Sequence, residues 1–136
     1  MIIEYAQLLS SWHHVRGTWT DNMYKPTHLH HPSFKWVLES KANYVWVYKL
    51  WDQLLNNYLR ATGKAHASGR LLLDLYLDTD KQPAFTYNML AMPDEFKQDS
   101  VVDSYRTYLK SKFKEWVNRD KPIKLEWTEG KPTWLQ

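Results

Sequence analysis

The sequence of 136 residues contains no cysteine and only four glycines. Without cysteine, disulfides, thiol catalysis and cysteine-based zinc sites are excluded. A glycine-rich phosphate loop and a Gly-x-Ser-x-Gly nucleophile elbow are absent as well. No apolar run approaches the length of about 18 residues that suggests a membrane span, and no signal peptide leads the chain. We therefore expect an intracellular protein that makes no use of a membrane.

Aromatic residues are abundant: eight Trp, nine Tyr and four Phe make up 15% of the chain. Each ring buries a large area, so the composition predicts a well-filled core, and surplus rings favour stacking on other rings or on bases. The net charge is +3 and the pI is near 9.0, with both signs mixed along the chain. An anionic partner is therefore allowed but not required.

Residues 40–63 carry the clearest helical pattern. Ser40 is the expected N-cap and Gly63 the expected left-handed residue after the last turn. Trp46 points away from the apolar face of this helix, so it either packs against a second layer of protein or remains exposed for a partner. We expect the apolar face to contact both the first and the last helix of the chain. This face consists of Tyr44, Val47, Tyr48, Trp51, Leu54, Leu55, Tyr58 and Leu59.

Together with the remaining patterns, this predicts an all-α fold of about five helices around the long central helix. The chain length predicts a single compact domain, 1–136. The other predicted helices are 1–13, 33–39, 65–77 and 100–117, with a brief helical turn at 93–95. The first helix starts without a capping residue, from which we expect that an upstream segment is missing. Residues 118–136 are expected to form an irregular tail packed on the domain.

The last helix carries basic and aromatic side chains together. Arg106 and Lys110 form a basic flank beside Tyr105 and Tyr108, as in a groove that holds phosphates with cations and bases with rings. Lys112 falls near the middle of the apolar stripe. It either extends its ammonium group to the surface or, if buried in a cleft, has a lowered pKa that suits a phosphate ligand or an amine nucleophile.

Histidines cluster in the loop 24–33, which contains two prolines. His28, His30 and His31 could bind a divalent metal, but no carboxylate is fixed beside them by spacing, so we predict neither a metal site nor a cofactor. Such histidines more often cap the next helix, or contact phosphate when protonated. Lys25, His28 and His31 are therefore candidate contacts to DNA.

Several segments together resemble a family of small phage proteins. They are IIEYAQLLS (2–10), YKPTHLHHP (24–32), ESKANYVWVYKLW (39–51), AMPDEF (91–96), SYRTYLKSK (104–112) and the Pro-x-Trp motif at 132–134. The resemblance extends over nearly the whole chain. It implies a protein that works in the cytoplasm of an infected host cell.

The first helix also resembles the glutamate-bearing helix of phage pyrimidine-dimer DNA glycosylase, also called endonuclease V. Glu4 stands in the place of the catalytic glutamate, and residues 132–134 match a Pro-Thr-Trp near the end of that enzyme. The resemblance implies an all-α repair enzyme that acts on damaged double-stranded DNA without a metal. It also implies that Lys25, Arg106 and Lys112 hold phosphates, and that Trp46 or Trp134 stacks where a base has been extruded.

Two departures from the glycosylase bear on this function. Its nucleophile is its own α-amine, upstream of the glutamate with a histidine between them, whereas this chain begins three residues before Glu4. Its arginines around the glutamate are replaced here by Ile3 and Gln7. We also expect the amine of Met1 to point along the helix axis, where it is poorly placed to share a substrate carbon with the Glu4 carboxylate, so that the chain binds DNA with little lyase activity. The alternative is a non-catalytic phage accessory protein that binds nucleic acid or a host protein through its aromatic surface.

Overall fold

The computed structural model describes residues 1–78, 85–86, 90–127 and 130–136. Within these ranges the regular structure consists of four α-helices and three short 3₁₀ helices, without a strand. The all-α prediction is therefore confirmed, with four α-helices where about five were expected. Close contacts group the chain into two compact units, Met1–Tyr87 and Asn88–Gln136. In the part of the chain that is described, no helix is long and apolar enough to cross a membrane.

Helix α1, Ile2–Arg16, has Met1 at its N-cap position and no side-chain cap, as the sequence predicts. It ends at Gly17, whose φ of 71° places it in the left-handed region. Glycine reaches this conformation without strain, which suits it to end the helix at this point. The helix is three residues longer than predicted, since the expected end was His13. Its buried side chains include Ala6, Leu9 and Trp12.

Helices α2, Pro32–Glu39, and α3, Lys41–Thr62, meet at Ser40. This residue ends α2, and its Oγ accepts a hydrogen bond of 3.1 Å from the Asn43 N–H at the start of α3. Helix α3 ends at Gly63 with φ 68°, so both of its predicted ends are confirmed. Both α1 and α2 pack against α3. The expected contact of α3 with α1 is thus confirmed, and its contact with the last helix stays a prediction.

The core of the first unit is built from large rings. Trp36, Trp51, Tyr44 and Phe34 are its largest fully buried side chains, and Leu9, Leu71 and Leu75 fill the space around them. Most of the predicted apolar face of α3 lies in this core or against it, whereas Leu59 at its far end is exposed. Among the described residues, the buried indole nitrogens of Trp12 and Trp51 have no hydrogen-bond partner.

A buried polar network crosses this core. The Tyr44 hydroxyl donates to the Leu75 carbonyl at 2.7 Å and therefore accepts from Nε2–H of His13 at 2.9 Å. Nδ1 of His13 then accepts from the Thr18 hydroxyl at 2.8 Å. Burial lowers the pKa of His13, so the network holds this ring in its neutral form.

The predicted helix 65–77 is wrong. In its place stand a 3₁₀ helix, Ala67–Leu71, and irregular turns. Nδ1 of His66 accepts from the Ser68 N–H at 3.2 Å, and such local bonds compete with α-helical hydrogen bonds. Leu71 and Leu75 still reach the core, as their spacing suggests, while Leu73 is exposed.

The second unit is organised on helix α4, Val101–Asn118. Ser100 caps it as predicted, since its Oγ accepts from the Asp103 N–H at 3.2 Å. The turn predicted at 93–95 is a 3₁₀ helix, Asp94–Phe96. The tail returns to α4 through a hydrogen bond of 2.9 Å from the Ile123 N–H to the Trp116 carbonyl, and through contacts from the 3₁₀ helix Thr133–Leu135.

Candidate functional site

A cleft of about 330 Å³ lies in the first unit, between the start of α1 and the loop that precedes α2. Glu4 and Tyr5 line it from α1, and His28 and His31 line it from the loop. Phe34, from α2, completes the apolar part of the wall. The cleft thus brings together Glu4, His28 and His31, three residues that the sequence nominated for different reasons.

Two buried serines of α1 hold the loop of residues 24–33, here called the histidine loop, in place. Ser11 Oγ accepts from the Thr27 N–H at 3.0 Å, and Ser10 Oγ accepts from the Tyr24 N–H at 3.3 Å. Each hydroxyl also donates to a carbonyl within α1, so neither is left unpaired in the core. The serines fix the loop on the same helix that carries Glu4, and sequence reasoning missed them. Small polar residues between apolar positions of α1 were the available signal.

The histidine loop closes in a turn in which the His31 N–H donates to the His28 carbonyl at 2.9 Å. His28 has φ 52°, and it is the only non-glycine residue of the described ranges with a positive φ. Such strained positions persist where the surroundings hold them, and they concentrate at functional sites.

His31 caps α2, since its Nδ1 accepts from the Ser33 N–H at 3.1 Å. This confirms the capping alternative for the loop histidines. In a neutral ring with Nδ1 as acceptor, the proton resides on Nε2, which leaves that N–H as a donor. A side chain that lines the cleft therefore both fixes α2 and offers one donor.

Glu4 is largely exposed and lies next to the ammonium group of Met1, with 2.7 Å between Oε2 and the nitrogen. The two groups are neighbours because residues three apart on a helix lie side by side. That they are poorly placed to share one substrate carbon stays a prediction. An ion pair this exposed contributes little to stability. Its importance is chemical, since a carboxylate and an amine stand together at the cleft.

Lys25 is exposed and does not line this cleft. Over the described residues, no three side chains of His, Asp or Glu gather closely enough to hold a metal ion. His28, His30 and His31 therefore do not form a ligand set there.

Trp46 combines the two alternatives that its position on α3 left open. Its ring lies edge-on to Trp36, with centroids 5.8 Å apart, yet 48% of the residue is exposed. Phe85 joins these rings, and the neighbouring Thr86 is fixed by Asn43, whose Oδ1 accepts from the Thr86 N–H at 3.0 Å. Trp36 is buried beneath them, so Trp46 and Phe85 form an exposed aromatic surface on the first unit.

In the second unit, Arg106 and Trp134 come together as candidate DNA contacts. The Arg106 guanidinium carbon lies 5.9 Å from the centre of the Trp134 ring, and an Nη1 atom lies 3.8 Å from Asp103 Oδ1. Tyr105 is half-buried, and its hydroxyl accepts from the Ala91 N–H at 3.4 Å. Tyr108 packs against Phe96, with ring centroids 5.2 Å apart.

Lys112 is not buried in a cleft. Its Nζ donates to Glu115 Oε2 at 2.8 Å, and about a third of its side chain (34%) is exposed. The hydrogen bond to Glu115, together with that carboxylate's charge, raises the pKa of Lys112. The alternative of a buried amine with a lowered pKa is therefore wrong, and the ammonium group reaches the surface along the Tyr108 ring.

Comparison of the chain with protein-family models, curated proteins and solved structures finds no match. The resemblance to phage proteins and to the glycosylase stays a prediction from the sequence motifs. Any function for this chain must therefore be argued from the side chains that line its clefts.

Proposed function

We propose that the chain is a DNA-binding protein of the glycosylase/lyase type, and that the cleft at Glu4 receives a nucleotide extruded from damaged duplex DNA. The observation that carries the proposal is the convergence of Glu4, His28 and His31 on one cleft. Its volume of about 330 Å³ falls within the usual range of small-molecule pockets.

The walls of the cleft match the parts of a nucleotide. Of the two rings that line the cleft, Phe34 is almost fully buried, so the half-buried Tyr5 is the ring that offers surface to a base. Enzymes that extrude a nucleotide commonly stack its base against aromatic side chains. His28 and His31 offer N–H groups to the sugar and to phosphate oxygens, and more strongly when protonated. Glu4 supplies the negative charge that stabilises a cationic sugar.

The chemistry needs an unprotonated amine. Its lone pair forms a bond to the sugar C1′ while the bond from C1′ to the base breaks, and the base leaves with a proton. Ring opening gives a Schiff base. Loss of a proton from C2′ then breaks the C3′–O bond and releases the phosphate, and Glu4 is placed to accept protons in these steps. In this chain, the amine in contact with Glu4 is that of Met1.

Binding of a duplex that contains one abasic site, compared with an intact duplex, tests the proposal. We expect tighter binding of the abasic duplex, and we expect Glu4→Gln to reduce that preference because an amide cannot stabilise positive charge. Glu95→Gln, an exposed position outside the cleft, is the matched control. Equal affinity of the unmodified chain for both duplexes would contradict the proposal.

Borohydride trapping on the same abasic duplex tests the amine. We expect little covalent complex, because the amine beside Glu4 is engaged in an ion pair with that carboxylate and must leave it before it can attack. N-terminal acetylation should remove the residual complex, and Lys112→Ala should leave it unchanged. Strong trapping that survives acetylation and disappears in Lys112→Ala would identify the lysine as the nucleophile instead.

A second candidate function is that of a non-catalytic accessory protein, and the exposure of Trp46 and Phe85 favours it. In that case the aromatic surface, rather than the Glu4 cleft, binds the nucleic acid or a host protein. Duplex binding that is lost in Trp46→Ala and unchanged in Glu4→Gln would support this candidate over the first.

A further inference from the structure

The second unit has a cleft of its own, with a volume of about 460 Å³, between the last turns of α4 and the returning tail. Three of its lining residues are lysines, Lys110, Lys114 and Lys131, and two are aromatic, Phe113 and Trp127. Lys110 belongs to the basic flank that the sequence predicts on the last helix. The other four residues belong neither to the Glu4 cleft nor to the DNA contacts that the sequence predicts.

The local fold explains why these side chains meet. Lys110, Phe113 and Lys114 are three and four residues apart on α4 and therefore share one face of the helix. The hydrogen bond from Ile123 to Trp116 turns the tail back along α4. Trp127 then packs edge-on against Phe113, with ring centroids 5.7 Å apart and an interplanar angle of 86°. The tail thus places an aromatic wall beside the lysines.

The lysines of this cleft have no acidic partner among the described residues. Among the described residues, no carboxylate lies within ion-pair distance of Lys110, Lys114 or Lys131, and no acidic side chain lines the cleft. Neighbouring lysines differ, since Lys112 pairs with Glu115 and Lys124 with Glu126. Three cations around two rings, without a carboxylate beside them in the described part of the chain, suit a ligand that carries negative charge and a planar face.

We propose that this cleft binds single-stranded nucleic acid, with backbone phosphates at the three lysines and a base against Trp127. Single strands fit because their bases are free to stack, whereas a duplex keeps its bases inside. Trp127 is 36% exposed, so part of its ring faces solvent. The proposal does not rest on the function of the Glu4 cleft.

Titration of the full chain with fluorescent oligothymidine at several salt concentrations tests the proposal. Each lysine that contacts a phosphate contributes about 0.7 to the slope of log affinity against log salt, so Lys114→Ala should lower the slope by about that amount. Lys121→Ala removes the same charge from an exposed tail position outside the cleft and should leave the slope nearly unchanged.

The aromatic wall is tested separately. Trp127→Ala should weaken oligothymidine binding by about tenfold or more, because stacking on an aromatic ring is a large part of the affinity for single strands. Trp127→Phe keeps a ring and should retain most of the affinity, which guards against a variant that merely fails to fold.

Three results would overturn the proposal. The first is that oligothymidine does not bind. The second is that inorganic polyphosphate competes as well as unlabelled oligothymidine and that Trp127→Ala leaves the affinity unchanged. The third is that polyglutamate displaces the probe as effectively as oligothymidine does. The second result would mean a plain anion patch, and the third an acidic protein partner. Glu4→Gln should leave oligothymidine binding unchanged, so failure here is distinguishable from failure of the Glu4 cleft.

Discussion

The two units of this molecule bury their aromatic residues to very different extents. In the first unit, Trp36, Trp51 and Tyr44 are nearly inaccessible to solvent. In the second unit, the only buried residues in the described part of the chain are Met92 and Ser104. Its tryptophans, Trp116, Trp127 and Trp134, are all partly exposed. The same residue types therefore serve in one unit to build a core and in the other to cover a helix while remaining accessible. We expect mutations to separate these roles.

The largest effect is expected from Trp51→Ala in the first core. Truncation of a buried aromatic residue costs about 3–5 kcal/mol in the free energy of unfolding, because it removes buried area and leaves a cavity. Chemical denaturation measures it. Trp51→Phe should cost much less, since no described residue accepts a hydrogen bond from the Trp51 indole. A transition midpoint unchanged by Trp51→Ala would place the core elsewhere.

A loss of comparable size is expected from Tyr44→Phe. The change leaves the Leu75 carbonyl and the Nε2–H group of His13 without their partner in a buried place, and each such loss costs about 1–3 kcal/mol. Tyr76→Phe, at an exposed position in the same unit, serves as control and should be close to neutral. Equal stability of the two variants would show that water replaces the lost hydroxyl.

The pH dependence of stability should trace to the same network. Burial lowers the pKa of His13 in the folded state, so below about pH 6.5, the usual histidine pKa, the unfolded chain binds a proton that the folded chain resists. The free energy of unfolding should therefore fall as the pH is lowered through that range, by at most about 1.4 kcal/mol per pH unit for one group. His13→Gln should flatten this part of the profile measured by denaturation. His30→Gln, at an exposed loop position, should not.

The sequence predicts those structural features that depend on interactions between residues close together in the chain. Ser40, Gly63 and Ser100 were recognisable as caps because the groups they satisfy lie within a few residues. The 3₁₀ helix after Gly63 was missed because leucines four residues apart suit an α-helix equally well, and the competing bond from His66 is invisible to periodicity. The convergence of Glu4 with His28 depends on bonds that join α1 to a distant loop, and no local pattern reports them.

The smallest effect on stability, within about 0.5 kcal/mol, is expected from Arg106→Ala at the exposed surface of the second unit. The same substitution should have a clearer effect on the salt dependence of duplex binding. Loss of one phosphate contact lowers the salt slope of binding by about one unit, and binding isotherms at several salt concentrations measure this. Arg119→Ala, beyond the end of α4, is the matched control. An unaltered slope in Arg106→Ala would remove this arginine from the interface.

The indole N–H groups of Trp12 and Trp51, for which the described residues offer no hydrogen-bond acceptor, give the first unit a built-in spectroscopic reporter. A buried N–H group that makes no hydrogen bond is shielded from solvent by the packing alone, so its proton exchanges with deuterium only when the packing opens. In a ¹⁵N-labelled sample, the indole resonances of Trp12 and Trp51, like that of the buried and hydrogen-bonded Trp36, should persist long after that of the exposed Trp46 has faded. Their decay rates, followed with and without an abasic duplex, would show how strongly a bound nucleotide restrains the opening of that core.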